Sequence, residues 1–268
     1  MFEIFSYSFM LRALIVGILV SLCAALIGIS LVLRKHSMLG DGLSHTAFSA
    51  FAIATVFGWT PLWFALPITI LISFFILRLG RNRKINGDAA IALLSASALA
   101  IGTFAISISK GVNIDLNSYL FGSIMSTSWG DVVGASVLTG IVILLYLFAF
   151  HRIFAITFDE NFAKSIGIKT GIYDIIFAVI CSAVVVLGMR LLGSLLISSL
   201  IIFPTLSAMS LAKTFKGATI LSVIISVLAF IIGLIISFFI ATPTGATVVL
   251  VNLAIFLITK LSFFREVW

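Results

Sequence analysis

Asp41 and His45 stand four residues apart in "LGDGLSHTAF" (39–48). On a helix that spacing puts a carboxylate and an imidazole on one face, one turn apart. An oxygen donor and a nitrogen donor so placed can share one divalent cation, and they suit zinc or manganese. Two donors from one chain are too few for zinc, which prefers four. A two-fold dimer would supply two Asp and two His around its axis. The bland alternative is a solvated pair at the mouth of a helix. Against it, the pair opens a long apolar run, where ionisable groups are costly and usually functional. At 1.5 Å per residue, Asp41 is roughly 24 Å from the far end of its helix near Phe57, which puts it in the inner half of a straight span.

A second stretch, "FDENFAKSIGIK" (158–169), sets Phe162 and Ile166 four apart, and likewise Ala163 and Gly167. Asp159 and Glu160 open it as helix-start residues should. The expected structure is a short helix outside the membrane with a small, apolar face. It is either a docking knob for a cytoplasmic partner or an amphipathic helix resting on headgroups. A third stretch, "LLGSLLISSLIIFPTLSAMS" (191–210), is rich in small residues, and Pro204 interrupts its backbone ladder. Small residues allow close helix packing, and an internal Pro permits a kink, so packing is the expected role of most of these serines.

Enzymatic signatures are missing. There is no HExxH, no GxSxG and no GxxxxGK[ST]. Ser44 and His45 are adjacent, and adjacent helical residues do not face each other, so they make a poor nucleophile–base pair. A metalloprotease would need more ligands and a general base. A permanently bound cofactor is not expected.

The elements that must hold these residues follow from composition. Of 268 residues, 62% are hydrophobic and 9% charged, with mean hydropathy +1.32. A soluble domain would need more polar surface, so the solvent is lipid. Nine apolar segments are expected, at 10–33, 38–58, 61–79, 88–109, 131–150, 171–190, 193–211, 217–240 and 244–262. Gly, Pro and charge separate them, as in "GWTP", "RLGRNRK" and "ATPTG". The sixth and seventh segments part only around Arg190–Gly193 and the eighth and ninth only at the Pro turn, so an eight-span reading with one short or re-entrant segment stays open. The first apolar run is too long for a signal-peptide core and is expected to remain as a membrane helix. The fold class is therefore an all-α polytopic membrane protein, with residues 1–268 forming one domain.

Orientation follows from the sixteen Lys and Arg. With nine spans, Arg12, Lys110 and Arg190 fall on one side and all the others on the opposite side. The basic side is cytoplasmic by the positive-inside rule, so the N-terminus lies outside and the C-terminus inside. The formal charge of +7 reflects that membrane bias and not nucleic-acid binding. Cys23 and Cys181 lie inside apolar runs without CxxC spacing and are expected to be buried packing residues. The outer connection, 110–130, mixes polar residues with Tyr119, Phe121 and Trp129 and suits an interfacial or re-entrant piece.

Several stretches together carry a resemblance: "LVLRKHSMLGDGLSH" (31–45), "VNIDLNSYLFGSI" (112–124), "ITFDENFAKSIGIK" (156–169), "LLGSLLISSLIIFPTLSA" (191–208) and "TPTGATVVL" (242–250). In that order and spacing the chain resembles the membrane permease of the zinc- and manganese-uptake ABC transporters, the metal ABC-3 type. The resemblance implies a homodimer in the bacterial cytoplasmic membrane. It also implies a separate ATPase subunit inside and an extracytoplasmic metal-binding protein that delivers the ion. It places Asp41 and His45 on the metal path, and the segment around Ala163 and Gly167 on the helix that couples to the ATPase. Many relatives carry an Asp just before the final Pro-x-Gly turn, where this chain has Ala241. The opening residues and the "GDGLSH" form look most like the zinc branch, with manganese or iron as alternatives. A proton-coupled secondary metal transporter using the same two residues is the rival class; it would need no ATPase and no docking helix.

Overall fold

Each of the nine apolar segments forms a helix in the computed structural model, which describes residues 8–79, 87–109, 122 and 127–266. The spanning helices are α1 (Ser8–Leu33), α2 (Leu39–Val56), α3 (Pro61–Leu79), α4 (Gly87–Ile108), α5 (Trp129–Phe158), α7 (Thr170–Leu192), α8 (Ser194–Leu211), α9 (Phe215–Ile240) and α10 (Thr244–Glu266), and a short α6 (Glu160–Ser165) joins α5 to α7. No strand occurs among the described residues. Seven of these helices are long and apolar enough to cross a bilayer. α3 is also apolar over Pro61–Leu77, and α2 is diluted by Asp41, His45 and several Gly, Ser and Thr.

The chain ends its helices with few residues. At Gly193, φ is +91°, a left-handed value that suits a residue without a Cβ, and this single residue separates α7 from α8. The sixth and seventh segments are thus distinct helices. Asp159 alone separates α5 from α6, and its carboxylate accepts from the backbone N–H groups of Asn161 and Phe162. At the start of α5, Ser128 and Asp131 form a reciprocal capping box. Most of the outer connection expected to be interfacial lies outside the described residues. Gly122 is described, and a side chain there would collide with the backbone at Leu192–Gly193.

α1, α2, α7 and α8 form the centre. α1 packs against α5, α7, α8 and α9, and α2 against α3, α4, α7 and α8. Gly17 lets the ring of Phe230 on α9 lie against the α1 backbone, and Phe230 is fully buried. Some polar groups inside this centre pair with backbone carbonyls, as buried groups tend to in lipid. Tyr146 donates to the Leu26 carbonyl, and Ser226 donates to the Ser21 carbonyl.

The helix ends sort by face. The ends of α1, α3 and α5 line one cavity together with α6, and the ends of α1, α5 and α8 line another with the start of α9. At the opposite face the start of α5 meets the end of α7, where Arg190 pairs with Asp131 at 3.2 Å. The alternation expected of successive spans is present. The face holding Arg34, Lys35, Lys164 and Lys213 is cytoplasmic by the positive-inside rule.

Candidate metal path and coupling surface

Asp41 and His45 lie on the first turns of α2, one above the other, with His45 Nε2 3.7 Å from Asp41 Oδ2. Their depth follows from Ile201 on α8. A side chain at Gly28 on α1 would collide with the Ile201 carbonyl, and one at Gly40 on α2 would meet Ile201 Cδ1. Gly28 precedes Arg34 by six residues, so Ile201 and the neighbouring Asp41 sit about 9 Å inward of the Arg34 level. The two side chains retain 37% and 22% of their exposure, so the chain covers the pair only in part.

α8 adds a residue that sequence reasoning passed over. Ser198 Oγ donates to Asp41 Oδ1 at 3.3 Å and lies 3.2 Å from the Ser194 carbonyl. No pattern in a Ser-rich segment distinguishes Ser198 from Ser194, Ser199 or Ser207. Only the approach of α8 to α2, which Gly40 permits, does so. Below the pair, Ser44 donates to the Asp41 carbonyl at 2.8 Å.

The geometry is close to that of two ligands on one ion. Donors each about 2.1 Å from a tetrahedral zinc lie about 3.4 Å apart. An octahedral ion with ligands near 2.2 Å would bring neighbouring donors to roughly 3.1 Å. The observed separation of 3.7 Å is longer than either and does not discriminate between the two geometries. Among the described residues no third His, Cys, Asp or Glu joins the pair. His45 Nδ1 is buried without a hydrogen-bond partner. Ligating imidazoles in tight sites almost always donate that second N–H to an acceptor.

On the cytoplasmic face, α6 presents Phe162 and Ile166, both more than half exposed. Glu160 and Lys164 pair along it at 2.8 Å. The expected helix over 158–169 is shortened to Glu160–Ser165. Gly167, with φ +85°, closes it in a Schellman motif: Ile168 N–H donates to the Ala163 carbonyl and Gly167 N–H to that of Lys164. Two of the four expected coupling residues therefore act otherwise than their spacing suggests. Ala163 is fully buried, turned toward α5 and α7, against which α6 packs. Its small size serves packing within the chain and not a face offered outward. Gly167 has open space around it, but its conformation is what the turn demands.

A family model described as the ABC 3 transport family matches residues 6–263. The chain belongs to that family. It is similar to the high-affinity zinc uptake system membrane protein ZnuB of Haemophilus influenzae, 27% identical with 97% of each chain covered. It is similar to the manganese import system permease protein ScaB of Streptococcus gordonii, 30% identical over 94% of this chain and 91% of that one. Among solved structures it resembles PsaBC from Streptococcus pneumoniae in complex with Fab, with a TM-score of 0.83 and 29% identity, over 94% of this chain and 91% of the other. As an ABC 3 member the chain is a metal-transporting ABC permease, a multi-pass protein of the bacterial inner membrane, and not an enzyme; ATP hydrolysis belongs to a separate subunit. Membership excludes the proton-coupled exchanger.

Proposed function

We propose that this permease carries zinc inward as a homodimer, with Asp41 and His45 of both copies forming the transient binding site. The observation that supports this reading is the half-exposed pair. A carboxylate about 9 Å inside the membrane is costly if it faces lipid, so its uncovered part needs a cover. A second copy across a two-fold axis covers it and brings two more donors, completing the four that zinc prefers.

The ion reaches this site from an extracytoplasmic metal-binding protein, and α6 passes the state of a cytoplasmic ATPase to the helices around it. Manganese is the second reading, favoured by the likeness to ScaB and by donors that also suit that metal. Uptake of labelled zinc and labelled manganese by cells expressing the complex separates the two. Native protein should take up zinc with manganese a weak competitor. Asp41→Asn and His45→Leu should each abolish uptake at limiting metal while the protein remains inserted. Near-normal uptake by both variants refutes the site, and preference for manganese refutes the zinc assignment alone.

A further inference from the structure

An open cavity of about 540 Å³ lies on the cytoplasmic face between the ends of α1, α3 and α5 and the inner side of α6. Its lining is mostly polar, with Arg34, Lys35, Lys164, His36, Asn161 and the carboxylate of Glu160, and Leu33, Leu77 and Phe158 add a smaller apolar part. Arg34 is 2.9 Å from Asp174 and Lys164 is paired with Glu160, so both are partly neutralised. Lys35 forms no ion pair among the described residues, and it is exposed. Its φ of +60° is a left-handed value where Gly or Asn would be relaxed. That conformation is the Schellman turn that ends α1, with His36 N–H donating to the Leu31 carbonyl and Lys35 N–H to that of Val32, and it places the charge at the rim of the cavity.

The cavity sits at a particular depth. Leu33 is the last residue of α1, and Leu77 lies in the last turn of α3, so the mouth is at the level of the lipid headgroups. The polar and apolar parts of the cavity lining match the two ends of a glycerophospholipid headgroup: the phosphodiester fits against the cations, and the glycerol and first acyl carbons against the leucines and phenylalanine. Basic pockets between helices on the cytoplasmic side are suited to anionic headgroups.

We infer that this cavity binds the phosphodiester headgroup of an anionic phospholipid from the inner leaflet. The same cavity joins two moving parts, since one rim is the α1–α2 turn that leads to Asp41 and the other is α6. A bound lipid therefore braces the coupling helix against the base of the metal path. The inference rests on the orientation assigned by the basic face and not on the identity of the cargo, so it stands or falls separately from the zinc reading.

Native mass spectrometry of the purified permease, exchanged into mixed phosphatidylglycerol and phosphatidylcholine, tests it. Native protein should retain phosphatidylglycerol in preference to phosphatidylcholine. Lys35→Asn, which keeps the left-handed turn comfortable, and Lys164→Gln should each lower that retention about fivefold. Lys213→Gln with Lys216→Gln removes charge from another cytoplasmic turn and should leave it unchanged. Equal retention of the two lipids, or equal loss in the Lys213/Lys216 control, overturns the proposal. Displacement of the lipid by millimolar glycerol 3-phosphate would reassign the cavity to a soluble phosphate ester and overturn the lipid source.

Discussion

Ser198 on α8 donates to the Asp41 carboxylate on α2 across 3.3 Å, with the Ser194 carbonyl 3.2 Å away as its other acceptor. One hydroxyl proton is divided between the two. It holds Asp41 Oδ1, leaving Oδ2 toward His45. A hydrogen bond to a charged group is worth about 1.5–3 kcal/mol, but a shared proton brings less to each acceptor. Ser198→Ala should therefore raise the metal concentration for half-maximal uptake by roughly tenfold or less, with little change in the amount of inserted protein. Ser198→Thr keeps the hydroxyl and should behave nearly as the native protein. An Ala variant with unchanged metal dependence would show that Ser198 only satisfies its own helix.

Orientation can be checked without touching either site. Cys23 and Cys181 are free and buried, so they are silent background for an impermeant thiol reagent. Thr60 lies in the α2–α3 turn and Lys213 in the α8–α9 turn, and both are exposed. In intact cells Thr60→Cys should be labelled and Lys213→Cys should not. The reverse pattern would invert the molecule and place the basic face outside.

Each of the nine apolar runs forms a helix, and seven of them are long and apolar enough to cross a bilayer, because a bilayer demands continuous hydrophobic length and satisfied backbone. The Asp41–His45 pairing was also legible, since the spacing of four is a property of the helix itself. Ser198 was not. It lies 157 residues from Asp41, and only helix packing, unmarked in a segment full of serines, brings the two together. Ala163 was misjudged for the same reason. Its spacing from Gly167 matches a face, but which face is covered depends on how α6 lies against α5 and α7. The left-handed turn at Gly167 shortens the helix, and a lone Gly after a Ser and an Ile gave no firm stop.

Arg34 and Asp174 join the α1–α2 turn to the second turn of α7, with side chains 11% and 7% exposed. Removing one partner of a buried ion pair leaves an uncompensated charge and costs about 3–5 kcal/mol, whereas replacing both by apolar residues is often neutral. Arg34→Met should lower the melting temperature of the purified permease markedly. Arg34→Met with Asp174→Leu should recover most of the loss. If the single and double variants melt together, the pair contributes no such coupling.

Coupling through α6 is tested best at its exposed side chains. Gly167→Trp is a poor probe, because φ of +85° there strains any residue with a Cβ. A loss of function would not separate a blocked dock from a broken turn. Ala163 is no better, since it is buried within the chain. Phe162 and Ile166 are exposed, and truncating them leaves the N-cap at Asp159 and the turn at Gly167 intact. Phe162→Ala should cost about 2 kcal/mol of ATPase binding if the ring is an anchor in the partner's groove, or roughly thirtyfold in affinity. Ile166→Ala should cost less, in proportion to its smaller area. Metal binding at Asp41 and His45 should survive both changes, because neither side chain touches α2. The measurements are co-purification of the ATPase, metal-stimulated ATP hydrolysis in the reconstituted complex, and metal binding by the permease alone. Unchanged co-purification and hydrolysis in the double truncation would leave α6 a surface helix, with the coupling contact elsewhere on the cytoplasmic face.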